Sequence, residues 1–113
     1  MSKYNLKMIE ETTSGDKEFM ELLAKTFVEE VPRDVEAMNE AVENENAPLA
    51  YQIVHKMKPN LQMFGLNLSN EVEKLESWSQ NNSTKNDILP YANKISETVH
   101  QAVQDLKSDF RLQ

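Results

Sequence analysis

Apolar residues recur along most of the chain at intervals of three and four, the spacing that lines one face of an α-helix when successive side chains stand about 100° apart. Phe19, Leu22, Leu23, Thr26, Phe27 and Val31 make the first long stripe, and Ser14 or Asp16 is available to cap it. Pro32 interrupts this stripe because it has no N–H for the carbonyl four residues back. Val35, Met38, Ala41 and Val42 resume it, so the pattern predicts one long kinked helix, or two nearly collinear ones, ending near Asn44. From Ala47 to Gly65 a second amphipathic helix is expected, with Leu49, Ala50, Ile53, Val54, Met57, Leu61 and Phe64 in its apolar sector. Asn46 is its natural N-cap, Pro48 suits its first turn, and Gly65 suits its C-terminal stop.

Asn67 or Ser69 is expected to cap a further helix carrying Leu68, Val72, Leu75 and Trp78, and Gln80 to Lys85 is a polar loop. The last stripe starts from about Asp87 and comprises Ile88, Tyr91, Ala92, Ile95, Val99, Ala102, Val103, Leu106 and Phe110, with Pro90 near its start. Ahead of all these, Leu6, Met8 and Ile9 support a short helix or an extended lid before the break at Thr12 to Gly15. Short connections between helices of similar length favour antiparallel neighbours. The expected fold is all-α: one domain over residues 1–113, an up-and-down four-helix bundle with a short N-terminal accessory helix.

Composition narrows the function more than the fold. The 113 residues include two Gly and four Pro, with 39% hydrophobic residues, which suits helices better than a sheet. Cysteine is absent, which removes disulfides, thiol chemistry and Cys-based zinc sites. The N-terminal stretch has no apolar signal core and no run approaches the length of a membrane span, so a cytoplasmic location is expected. The starting Met and the lack of a linker favour a free-standing protein. The net charge of −7, without a large basic patch, argues against nucleic acid and anionic membranes as partners. Small phosphate ligands and proteins stay open.

One residue breaks the amphipathic logic of the Ala47–Gly65 helix. His55 falls opposite the centre of the apolar sector, among Tyr51 at i−4, Lys58 at i+3, Pro59 at i+4 and Gln62 at i+7, with Gln52 and Met63 at the edge. The stretch from Ala47 to Asn70 contains no Asp or Glu. The chain's average acidic density would put about four there. An anion at His55 would therefore meet Lys58, and Lys56 beside it, with no carboxylate near enough to repel it. An exposed imidazole, with a reference pKa of about 6.5, offers a neutral nucleophilic nitrogen near neutral pH without an activating base. Pro59 sharpens the point, since an interior helical proline costs about 3 kcal/mol or more and leaves the His55 carbonyl without its usual donor.

His55, Met57, Lys58, Pro59, Phe64 and Gly65, together with the preceding FMELLAKTFVEEVP run, resemble the signature of histidine phosphotransfer (HPt) domains. In that family the phosphorylatable His is followed by an apolar residue at +2, Lys at +3, usually Gly at +4, an apolar residue at +9 and Gly at +10. This chain departs from it at Pro59, where Gly is commoner, and at Asn60, where Ser or Thr is common. The resemblance implies a phosphorelay carrier rather than an enzyme with its own kinase activity. His55 would accept a phosphoryl group from a receiver-domain aspartyl phosphate and pass it to another receiver, the partners being response regulators or a hybrid sensor histidine kinase. The Mg²⁺ would sit on the receiver, and the carrier itself would need no cofactor. Lys58 would be the charge partner, Lys56 and Gln62 secondary phosphate contacts, and Tyr51, Gln52, Pro59 and Met63 the docking surface.

Two other readings compete. A helical adaptor would bind a partner through the same face without chemistry, His55 being merely exposed. A metal-dependent hydrolase lacks ligands: His100 is expected on the surface of the last helix, and no paired His or Glu-x-x-His spacing appears on facing helices. No glycine-rich nucleotide loop is present.

Overall fold

The computed structural model describes residues 4–112. They form five helices: α1 (Lys7–Thr13), α2 (Lys17–Glu43), α3 (Ala47–Met63), α4 (Ser69–Glu76) and α5 (Lys85–Asp109). Helix α2 packs on α3 and α5, and α4 packs on α3 and α5, which closes a four-helix ring; α1 lies against α2 outside it. No described helix is long and apolar enough to cross a membrane.

Helix α2 is one continuous element of 27 residues with Pro32 inside it. At 1.5 Å per residue it is about 40 Å long, close to the 44 Å long axis of the molecule. Asp16, not Ser14, caps it, accepting from the Phe19 N–H at 3.2 Å. Asn46 caps α3 in the same way through the Leu49 N–H at 3.2 Å. Gly65 ends α3 in the left-handed region at φ +64°. Around it the Leu66 N–H donates to Leu61 O at 3.1 Å and the Gly65 N–H to Gln62 O at 3.0 Å, so the final carbonyls are satisfied by a Schellman turn. The N-terminal segment seals this end: the Asn5 N–H donates to Phe64 O at 2.7 Å.

The core is continuous through the ring, with Phe27 of α2 against Phe64 at a centroid distance of 4.6 Å. Three stripe residues expected inside are not. Phe19, Leu22 and Leu49 are 43%, 57% and 42% exposed. Phe27 is level with the end of α3, so the first turns of α2 run past that helix, and there only the flank that carries Met20, Leu23 and Ala24 packs against the core. Leu49 stands at the opposite end, in the first turn of α3.

Helix α4 is capped by neither Asn67 nor Ser69: Leu68 holds the N-cap position without a side-chain bond. Trp78 lies beyond α4 and is buried, its indole N–H donating to Ser83 O at 2.9 Å across the polar loop. Helix α5 begins at Lys85, ahead of the expected start, because Thr84 and Asp87 form a reciprocal capping box. The Asp87 side chain accepts from the Thr84 N–H at 2.9 Å, and the Thr84 hydroxyl accepts from the Asp87 N–H at 3.1 Å.

Candidate functional site

Burial of Ala50, Val54, Met57 and Leu61 sets the rotation of α3 and turns His55 outward. Its side chain is 64% exposed. Tyr51, one turn earlier and also exposed, stacks on the imidazole at 5.6 Å with an interplanar angle of 6°. The helix runs through Pro59 without a break, and Pro59 and Gln52 are exposed, whereas Met63 is only partly so and packs against the core.

The expectation of a carboxylate-free surround fails at one position. Glu76, the last residue of α4, reaches α3 with both oxygens: Oε2 lies 3.1 Å from His55 Nδ1, and Oε1 accepts from Lys58 Nζ at 3.4 Å. Its side chain is 17% exposed. Val72 and Leu75 bury the neighbouring face of α4, which aims the residue one position on at α3. His55, Lys58 and Glu76 thus form a connected trio of neutral ring, cation and anion, with no net charge when the imidazole is neutral. The window without acids was a property of α3 and its following turn only, and the adjoining helix supplies the carboxylate.

The two candidate lysines diverge. Lys58 stays on the α4 side with His55. Lys56 points the other way, its ammonium donating to Asp34 Oδ1 of α2 at 3.1 Å. Asp34 is buried among α2 core residues at 8% exposure, so this ion pair ties α2 to α3. Gln62 is exposed one turn beyond Lys58. Lys58, Leu61 and Gln62 of α3, Leu68 and Val72 of the α4 side, and Met8 of α1 line an open groove of about 450 Å³ that begins beside the trio.

His100, on α5, is exposed and sits 3.2 Å from the Gln104 amide through its Nε2. Among the described residues no three His, Asp or Glu side chains are grouped as metal ligands would be. Chemically the trio offers a nucleophilic ring nitrogen, an adjacent ammonium with donors to spare, and a fixed acceptor.

Glu76 is the site residue that helical periodicity missed. A fold-level signal for it existed: His55 lies eleven residues before Leu66, in the α3–α4 turn, and Glu76 lies ten after it. Antiparallel helices bring such positions level.

No family model matches the chain, and no curated protein or solved structure matches it either.

Proposed function

We propose that the chain is a histidine phosphotransfer domain that carries a phosphoryl group on His55 between receiver domains. The observation that supports this most is an imidazole 64% exposed on a four-helix bundle, with the Lys58 ammonium one helical turn along. An imidazole nitrogen attacks the phosphorus of an aspartyl phosphate. The N–P bond forms as the P–O bond breaks, and the electron pair leaves with the aspartate carboxylate. Return to a second aspartate reverses the step. Lys58 balances charge on the transferring oxygens, and the receiver brings the metal and the remaining catalytic groups. The receiver docks over Tyr51, Gln52 and Pro59 and along the groove past Gln62.

The test is incubation of the intact chain with a receiver domain phosphorylated on its aspartate. Acid-labile, base-stable label should appear on the wild type and be lost in His55→Gln. Label persisting in that variant refutes the site. A chain that binds receivers but never takes label is the helical adaptor instead, a reading favoured by the exposed Tyr51 and the open groove. In that case Tyr51→Glu abolishes binding and His55→Ala leaves it intact.

A further inference from the structure

We infer that Glu76 is a positioning residue: it determines which nitrogen of His55 is the nucleophile and holds Lys58 beside it. The inference rests on the phosphocarrier reading for its consequence, but not for its geometry.

An ionised carboxylate only accepts hydrogen bonds, and a neutral imidazole has one N–H and one lone pair. With Glu76 Oε2 at 3.1 Å from Nδ1, the ring proton resides on Nδ1 and donates to the carboxylate. The lone pair is therefore on Nε2, across the ring from Glu76. This is the reverse of an unassisted histidine in water, which keeps its proton mainly on Nε2. Without Glu76 the outer nitrogen would be protonated and inert in most molecules.

Two restraints then set the ring. The Tyr51 stack covers one face and the Glu76 bond pins one edge, so the imidazole has little freedom to flip. Glu76 is itself anchored, being largely buried beside Leu75 of the core. Its second oxygen takes one of the three Lys58 donors at 3.4 Å, leaving two for phosphoryl oxygens.

When Nε2 attacks an acyl phosphate, the N–P bond forms, the P–O bond breaks and the electron pair departs with the acyl carboxylate. The ring keeps its Nδ1 proton and becomes a positively charged N-phosphoimidazolium. Glu76 is already hydrogen-bonded to the edge that carries this new charge. The carboxylate thus favours the product while standing on the side of the ring away from the incoming phosphate.

The test compares the wild type with Glu76→Ala and Glu76→Gln, first as unphosphorylated proteins. Imidazole ¹⁵N shifts, recorded where the ring is neutral, report the tautomer directly. The wild type should be mainly Nδ1–H, Glu76→Ala mainly Nε2–H, and Glu76→Gln, which keeps the shape and an acceptor, in between. Phosphoramidate, a small donor that needs no docking surface, then phosphorylates each intact chain. If the competent tautomer falls from nearly all molecules to about a fifth of them, the labelling rate falls roughly fivefold. An unchanged tautomer in Glu76→Ala overturns the inference, as does label that stays on Nε2 at an unchanged rate once the tautomer has shifted. Glu76→Gln guards against a folding artefact: labelling lost equally in both variants with no tautomer change also overturns it. The tautomer is read without any receiver, so a failure of phosphotransfer from a receiver counts against the proposed function and leaves the Glu76 geometry standing.

Discussion

Pro59→Ala should stabilise the protein, and the size of the gain follows from where the proline sits. Helix α3 continues four residues past Pro59 to Met63, so the ring lies in a helix interior, exposed, with no N–H to give the His55 carbonyl. Relative to Ala an interior proline costs about 3 kcal/mol. Bending can relieve the clash between the ring and the preceding turn, but nothing within the helix replaces the missing donor, and a net hydrogen bond is worth about 1 kcal/mol. The expected gain therefore lies between about 1 and 3 kcal/mol. For a domain of this size each kcal/mol moves the midpoint by about 4 °C, so thermal denaturation followed by circular dichroism should show a rise of at least about 4 °C. If the proline is kept because it shapes the surface beside His55, phosphotransfer with a receiver should weaken in the same variant. A midpoint unchanged or lowered would refute the reasoning, because it would mean that the His55 carbonyl has found another donor or that the proline packs usefully.

Lys58→Ala should slow phosphotransfer clearly while lowering stability by about 1 kcal/mol or less, since its pair with Glu76 is partly exposed; a large drop in the urea midpoint would contradict this. Gly65→Ala should cost more than Gly15→Ala. Both glycines have positive φ, worth about 1–2 kcal/mol against an L-residue, but a Cβ at Gly65 would meet the Asn5 Cβ at 2.7 Å whereas one at Gly15 meets nothing within 4 Å. Equal urea midpoints for the two variants would remove the N-terminal seal as a reason for Gly65. At low pH the α5 cap should fail. Hydrogen bonds from the Thr84 backbone and then its hydroxyl hold the Asp87 carboxyl below its ordinary value of 3.8. A depressed folded-state value contributes stability that is complete above the unfolded value and disappears as pH drops through the folded one. Asp87→Asn should therefore flatten part of the acid limb of a stability–pH curve below about pH 4, and an unaltered limb would count against the box.

The elements legible in the chain were those whose evidence is local. The Asn46 cap, the Gly65 stop and the stripe Val54, Met57, Leu61 each depend on residues within two turns, and all of them form. So does the α5 box, yet the helix starts earlier than its apolar stripe indicates: Thr84-x-x-Asp87 departs from the commoner Glu or Gln at the third position, although Asp reaches the backbone here. Phe19, Leu22 and Leu49 failed for a different reason. Periodicity says which face of a helix is apolar, not how far around that face its neighbours reach: Phe19 and Leu22 stand off the covered flank of α2, and Leu49 lines the open groove between α2 and α3 instead of entering the core.

The same distinction governs the site. That His55 and Lys58 share a face is a property of one helix and was readable. That Lys56 belongs to Asp34, and that Lys58 and His55 belong to Glu76, depends on the register of α3 against α2 on one side and α4 on the other. Successive residues on a helix diverge by about 100°, so neighbours in sequence as alike as Lys56 and Lys58 end up serving opposite seams. The consequence for the chemistry is a change of principle. A carboxylate-free surface would attract phosphate by a standing positive potential. A trio that sums to zero with a neutral ring attracts it far less at rest; on the proposed phosphocarrier reading it would become cationic at the ring as the N–P bond forms, with Glu76 already in place to meet that charge. The interactions then strengthen in the transition state rather than in the resting encounter, which is where binding energy accelerates a transfer. A carrier that must release its phosphoryl group to a second receiver is better served by that arrangement than by a site that grips phosphate in advance.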